Sequence, residues 1–121
     1  MLRPLFFGLL MTLGLTTFAQ TTLTGRWLNQ DQNAHVEIAE TEAPFQGKLV
    51  WTENEKGQAK LGLRILRDLT PTRDGWQGTV YSIKQDDSYD ATFRLTEEGQ
   101  KMEMTVKVGF MSRTQTWTRV E

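Results

Sequence analysis

The stretch YDATFRLTEEGQKMEMTVKV, residues 89–108, decides the fold class of this chain. Apolar and polar residues alternate over 89–95 and again over 101–108, and the segment EEG at 97–99 between the two runs is typical of a turn. Alternation with a period of two predicts a strand with one buried face, because successive side chains of an extended chain point to opposite sides. The stretch therefore predicts two antiparallel strands joined as a hairpin.

The same alternation recurs along the chain. Shorter runs cover 34–38 and 47–51, and the C-terminal stretch RTQTWTRVE alternates from 113 to 121. Residues 61–69, LGLRILRDL, fit a strand or a helical stripe, and we favour a strand with a bend because Gly62 is unfavourable inside a helix. Polar turns separate most runs, so the sequence predicts about eight short strands of an antiparallel barrel or sandwich. We expect an all-β fold, a small up-and-down barrel, because hairpin-length turns join nearly every pair and closure removes exposed edges.

The phase of the alternation predicts which side chains line the interior of that barrel. Each run places its apolar residues on one face, and these faces should share one core. A barrel of about eight strands is just wide enough to be filled by side chains or to hold one small ligand. The residues expected to point inward are Trp27, Val36, Ile38, Leu49, Trp51, Tyr89, Phe93, Met104 and Val106.

The N-terminal segment MLRPLFFGLLMTLGLTTFAQ has the features of a secretory signal peptide. Arg3 supplies a positive charge, 5–15 form an apolar stretch, and Thr-Phe-Ala at 17–19 offers small residues at the positions that a signal peptidase reads. The apolar stretch is shorter than the roughly 20 residues of a membrane span. We therefore expect removal of 1–19, a single barrel domain over 20–121, export to the periplasm or the medium, and no membrane span after signal removal.

Composition excludes several kinds of chemistry. The chain contains no cysteine, which excludes disulfides, thiolate metal sites and cysteine nucleophiles. Its net charge of −1 lacks the excess of basic residues that nucleic-acid binding requires. His35 is the only histidine, so a usual zinc site cannot be built, and the acidic cluster at 86–90 does not have the spacing of a calcium loop. We predict no catalytic residues, no metal, no cofactor and no nucleic-acid partner. Enzyme activity, as an uncharacterised hydrolase, would need two acids close together inside a cavity.

Four pieces of the sequence occur in one order: GRW at 25–27, WQGTVY at 76–81, YDA at 89–91 and RTQTWTRV at 113–120. Together they resemble a known family, domain of unknown function 2147, which comprises small exported bacterial proteins. The resemblance covers nearly all of the chain after the signal peptide, and it implies a lipocalin-like barrel and export and suggests ligand carriage. Two loops, 52–60 and 84–88, depart from the family pattern, because the first is short and lacks an Asn-Pro segment and the second lacks Pro and Gly-Lys.

The last strand carries the candidate site residues. In an up-and-down barrel with an even number of strands, the first and last strands are neighbours, so Trp27 should lie near Trp117 and Arg119. We expect Arg113, Gln115, Trp117 and Arg119 to point inward and the threonines between them to face solvent. Arg113 and Arg119 are six residues apart, or roughly 20 Å in a strand, and should therefore lie at opposite ends of the barrel.

We assign a structural role to one end of that strand. A guanidinium of Arg119 stacked on the indole of Trp27 would gain about 0.5–2 kcal/mol. Lipocalin-like barrels close one end with a similar Gly-x-Trp and a late arginine. The resemblance therefore implies that Gly25, Trp27 and Arg119 close the barrel, and we favour this role for Arg119 over ligand binding.

The other end of the strand suggests a binding site. The guanidinium of Arg113 and the amide of Gln115 suit a carboxylate or another anionic head group, with an apolar tail in the barrel. The alternative is that Arg113 pairs with an acid of a neighbouring strand and that the core is full. The expected function is binding of a small hydrophobic or amphiphilic ligand, and the alternative is a cell-envelope interaction or structural protein with a filled barrel and unknown protein partners. The predicted ligand-binding residues are Arg113, Gln115, Trp51, Phe93, Met104 and Trp117.

Overall fold

The computed structural model describes residues 22–39 and 44–120, and over these ranges the chain forms a closed antiparallel β-barrel. Its eight strands follow one another around the barrel in chain order, which confirms the predicted all-β, up-and-down architecture. The predicted signal peptide, 1–19, lies outside the described residues. The strands are β1 (Gly25–Leu28), β2 (Ala34–Ala39), β3 (Phe45–Thr52), β4 (Arg64–Pro71), β5 (Trp76–Ser82), β6 (Asp87–Thr96), β7 (Lys101–Val108) and β8 (Met111–Arg119).

Two short helical turns connect the strands. A one-turn helix, α1 (Glu55–Gln58), lies between β3 and β4, and Asn54 caps it by accepting a hydrogen bond from the amide of Lys56 at 2.8 Å. A 3-10 turn, Glu97–Gly99, joins β6 to β7. Within 22–39 and 44–120, no helix has the length and the apolar character needed to cross a membrane.

The hairpin of β6 and β7 has the register that its alternation predicts. Phe93 pairs with Met104 and Ala91 with Val106, and all four side chains are buried. Gly99 in the connecting turn has a φ of 88°, a conformation that glycine adopts without strain. This local pattern therefore supplies one wall of the core.

Side chains fill the interior of the barrel. The buried residues come from all eight strands and from the segment that precedes β1, so the core spans the whole circumference. The two largest fully buried side chains are Trp27 and Phe93, and leucine, isoleucine and methionine residues follow them in size. The buried apolar residues are Leu23, Trp27, Val36, Ile38, Leu49, Ile65, Leu66, Leu69, Val80, Ala91, Phe93, Met102, Met104, Val106 and Trp117.

Trp51 does not face the interior, and its predicted inward orientation is wrong. His35 pairs with Trp51, whereas the next residue of β2 pairs with Leu49, so Val50 is an additional residue in β3. A β-bulge of this kind changes the phase of the strand beyond it. Thr52 is consequently buried, and Trp51 is 42% exposed on the outer surface, with its ring 5.0 Å from that of His35.

The ambiguous segment 61–69 divides into a turn and a bent strand. β4 begins at Arg64, and the residues before it belong to the connection from α1. Asp68 has a φ of 55°, and the pairing with β5 shifts between Arg67 and Thr70. The predicted strand with a bend is therefore present, but it starts three residues later than the sequence pattern suggests.

Candidate functional site

The end of the barrel at which β8 finishes, here called the closed end, is organised by Arg119. Its guanidinium carbon lies 4.4 Å from the centre of the Trp27 ring, so the stacking predicted from the sequence is present. Nε donates to the carbonyl oxygen of Gly99 at 2.8 Å, Nη1 to that of Thr24 at 2.6 Å and Nη2 to that of Thr22 at 2.8 Å. Desolvation by burial lowers the pKa of Arg119 from its ordinary value.

Local sequence explains why these groups meet. Gly25 has a φ of 141°, which a residue with a Cβ rarely adopts, and it lets the chain turn into β1 directly before Trp27. The buried indole nitrogen of Trp27 donates to the carbonyl oxygen of Leu23 at 2.9 Å. Trp27 also pairs directly with Arg119 across the β1–β8 closure. The indole of Trp27 and the guanidinium of Arg119 thus connect the N-terminal segment and the β6–β7 turn to the closing pair of strands. The four hydrogen bonds that these two groups donate here all go to backbone carbonyl oxygens.

The opposite end, here called the hairpin end, carries Arg113 and Gln115. They share the inward phase of β8, because Trp117, Gln115 and Arg113 pair with the core-facing side of β7. Only Trp117 is buried; Gln115 is half-buried and Arg113 is exposed. The indole nitrogen of Trp117 donates to Oε1 of Gln115 at 3.1 Å, so this amide oxygen already has a partner within the strand.

Arg113 is exposed because its strand extends past its neighbour β1. β1 ends at Leu28, which pairs with Thr118. One further contact continues the closure, since the backbone amide of Thr116 donates to Oε1 of Gln30 at 2.8 Å. β8 continues beyond that contact. Trp117 and Arg113 lie on the same face of β8, but the side chain of Trp117 points into the barrel whereas that of Arg113 lies at the rim.

A small depression lies beside Arg113 at this rim. It has a volume of about 210 Å³, and its lining is polar. Part of that lining serves the β1–β2 turn, since Oδ1 of Asn29 accepts from the backbone amides of Asn33 and Ala34 at 2.9 and 3.1 Å. The residues that line the depression are Asn29, Gln30, Asp31, Arg113, Thr114 and Gln115.

The predicted ligand-binding residues do not surround one space. Phe93, Met104 and Trp117 are packed in the core, whereas Trp51 lies on the outer surface and Arg113 at the rim. A second depression, of about 330 Å³, lies on the outside of β6 and β7. It includes Arg94 and Glu103, which form an exposed ion pair at 2.6 Å. Neither depression is in the barrel interior, and within 22–39 and 44–120 no group of three or more His, Asp or Glu side chains is placed to hold a metal ion.

Sequence reasoning missed the most unusual surface of the hairpin end, which is the turn between β7 and β8. Val108 pairs with Met111, and Gly109 and Phe110 form the turn between them. Phe110 is 100% exposed, Met111 53% and Val108 38%. We call these four residues the hairpin tip. The signal was present as VGFM at 108–111, because a turn at this position would ordinarily contain polar residues.

The hairpin tip is free of both flanking strands because their pairing with β7 and β8 stops before it, although β6 itself continues to Asp87 as the partner of β5. The pairing of β6 with β7 extends to Ala91 and Val106, and β1 leaves β8 before Arg113. Among the described residues, the last rungs of β7 and β8, Lys107 with Ser112 and Val108 with Met111, pair only with each other. A two-stranded ribbon therefore continues beyond the last pairs that join it to β1 and β6.

The fold and the two ends define a small β-barrel with a packed interior, a closed end held by an arginine, and an apolar ribbon at the other end. The family model of an uncharacterised protein conserved in bacteria, domain of unknown function 2147, matches residues 25–119. The chain therefore belongs to that family, which confirms the resemblance seen in the sequence. No curated protein and no solved structure matches the chain.

Proposed function

We propose that the protein is an exported interaction module of the cell envelope, in which the filled barrel is a rigid scaffold and the hairpin end is the binding surface. The signal-peptide pattern over 1–19 supports export. The observation that carries the proposal is the hairpin tip, where Phe110 is 100% exposed on a ribbon that extends past the barrel. Exposed apolar groups gathered at one place on a soluble domain mark interaction surfaces.

The packed core argues for a scaffold rather than a container. A ligand in the interior would have to displace Phe93, Met104 or Trp117, all of which are buried. Re-exposing one such side chain costs about 1.5–3 kcal/mol, and a ligand of useful size would displace more than one. Interior binding is therefore the less favourable use of this barrel.

Small-ligand binding at the rim is the second candidate, and the depression beside Arg113 and Gln115 favours it. Its volume of about 210 Å³ is below the roughly 300–1,000 Å³ of usual ligand pockets, so it would hold a head group and not a whole amphiphile. The guanidinium of Arg113 would bind a carboxylate or a phosphate there.

Site-specific photo-crosslinking in the exporting cells tests the proposal. A photoreactive amino acid replaces Phe110 in one variant and Thr92, which is exposed on the outer face of β6, in the control. We expect discrete adducts, with protein or with lipid, from position 110 at several times the yield from position 92. Equal yields from the two positions would refute the hairpin end as the binding surface.

Native mass spectrometry distinguishes the second candidate. A reproducible added mass on the purified protein, lost on organic extraction and reduced in Arg113→Ala, would favour a ligand carrier. A ligand-free mass together with selective adducts at position 110 would favour the interaction module. The two experiments together therefore separate a surface that binds a partner from a site that holds a small molecule.

A further inference from the structure

We propose that the partner of the hairpin tip is the surface of an anionic lipid bilayer, an inference that rests on the proposed interaction at the hairpin end. In this arrangement Phe110, Val108 and Met111 enter the boundary between head groups and acyl chains. Lys107 and Arg113 bind lipid phosphates or other anionic head groups. The barrel remains in water, and the ribbon is its only point of insertion.

The distribution of charge favours an anionic partner. Lys107 and Arg113 flank the tip and are both exposed. No Asp or Glu occurs between Glu103 and Glu121, although the whole chain has a net charge of −1. Acids of neighbouring segments do lie near it, since Asp31 lines the depression beside Arg113 and Asp90 precedes Ala91, the last β6 residue paired with β7. The ribbon itself carries only cations, which would be attracted to anionic lipids within about a Debye length.

The two cations lie on both faces of the ribbon. Lys107 pairs with Ser112 and shares the outward phase of Thr105, whereas Arg113 pairs with Val106 and shares the inward phase of Trp117. A ribbon that enters a membrane tip first would therefore present a cation to the head groups on each side. We call Lys107 and Arg113 the cationic collar.

The dimensions of the ribbon fit the depth of the interface. At about 3.3 Å per residue, Phe110 lies roughly 7–10 Å beyond the collar. Peripheral segments bury their apolar groups about 5–10 Å into the boundary between head groups and acyl chains. With the collar at the level of the phosphates, the Phe110 ring would reach the acyl boundary.

Shape and charge argue against a second copy of the chain as the occupant. Two tips packed against each other would bring two cationic collars together, and like charges repel. Three apolar side chains per copy also fall far short of the roughly 800 Å² per partner of a standard interface. A convex tip is instead suited to a soft surface that it can enter.

Fluorescence labelling tests the inference directly, because the chain contains no native cysteine to compete for the label. A cysteine replaces Phe110, or Val120 at the closed end as a control, and carries an environment-sensitive dye. We expect a blue shift from position 110 on vesicles of phosphatidylcholine mixed with phosphatidylglycerol, a weaker one on phosphatidylcholine alone, and none from position 120. The shift should diminish as salt is added.

Sedimentation with the same vesicles assigns the roles of tip and collar. We expect Phe110→Ser to reduce binding at least tenfold, and Lys107→Glu with Arg113→Glu to abolish the preference for anionic vesicles. Arg73→Glu, an exposed cation in the β4–β5 turn at the closed end, should leave binding within twofold. Phe110 is fully exposed, so thermal unfolding should show Phe110→Ser to be folded like the parent.

Two results overturn the inference. The first is absence of binding to anionic vesicles, and the second is binding that Phe110→Ser leaves unchanged. If vesicles fail but cells give protein adducts selectively from position 110, the partner is a protein, and the proposed function survives without the lipid inference. If position 110 also fails to exceed position 92 in cells, the proposed function fails as well.

Discussion

Replacing Arg119 with alanine should destabilise the barrel by about 2–4 kcal/mol. The contact of its guanidinium with Trp27, at 4.4 Å, accounts for about 0.5–2 kcal/mol. Its hydrogen bonds to the carbonyl oxygens of Gly99, Thr24 and Thr22 contribute about 0.5–1.5 kcal/mol each. The sum is discounted because water can replace the arginine at the half-buried threonine carbonyls. For a domain of this size, about 1 kcal/mol corresponds to roughly 4–8 °C, so the melting temperature should fall by roughly 8–32 °C.

Thermal unfolding followed by circular dichroism measures that fall, with denaturant titration as the second readout. The matched control is Arg113→Ala, the same substitution on the same strand but at an exposed position, which should cost less than about 0.5 kcal/mol. Arg119→Lys keeps the positive charge but loses the forked geometry of the guanidinium. Its stability should therefore lie between those of Arg119→Ala and the parent. An Arg119→Ala barrel as stable as the Arg113→Ala barrel would refute the assignment of Arg119 to closure.

Four further substitutions examine the core, the entry into β1 and the outer face by the same unfolding assays. Met104→Ala should lower the free energy of unfolding by about 2–5 kcal/mol, because the core is filled. Trp51→Ala, at an exposed position, should lower it by less than about 1 kcal/mol. A Met104→Ala variant as stable as the parent would indicate an open interior. Gly25→Ala should cost about 1–3 kcal/mol because φ is 141° at this position, and an unchanged melting temperature would contradict the strain argument. Arg94→Ala breaks the exposed ion pair with Glu103 and should leave the melting temperature nearly unchanged, because solvent screens the pair; a marked fall would assign that pair a structural role.

The sequence was sufficient where the fold depends on local alternation. β6 and β7 are adjacent in the chain, their turn is short, and their burial follows from the pattern of 89–108 alone. The contact of Trp27 with Arg119 was also predictable, although the two residues are far apart in the sequence. It follows from the even number of strands, because closure of such a barrel must place the first strand beside the last.

Prediction failed where one strand adjusts to another. Trp51 continues the alternation of Leu49 perfectly in sequence, but the additional residue Val50 changes the phase. The position of a bulge depends on pairing with a neighbouring strand and on packing in the core. Neither can be seen in the local sequence pattern. The bend at Asp68 in β4 was expected only because Gly62 and the helical stripe made the segment ambiguous, not because its position could be read.

The candidate site escaped prediction for a related reason. Arg113 has the inward phase that the alternation indicates, yet its exposure depends on where β1 ends, which is a property of another strand. Val108 likewise continues the apolar phase of Val106, although the ribbon has already left the core at that residue. The face on which a side chain lies can be predicted from the alternation of one strand. The position of the barrel rim depends on where all the strands end.

The two ends of the barrel differ in what stability can explain. At the closed end the fold accounts for each group, since Trp27 is buried and the guanidinium of Arg119 bonds to backbone oxygens. At the hairpin tip the stability of the fold does not explain the apolar residues, because a fully exposed Phe110 gains no burial energy. An apolar ribbon with unpaired edges also promotes aggregation. The collar cations oppose that aggregation by repelling like ribbons, and they attract an anionic surface at the same time. The tip adds nothing to folding, but it combines apolar and cationic groups on a projecting ribbon. The partner proposed for the hairpin end would explain this combination.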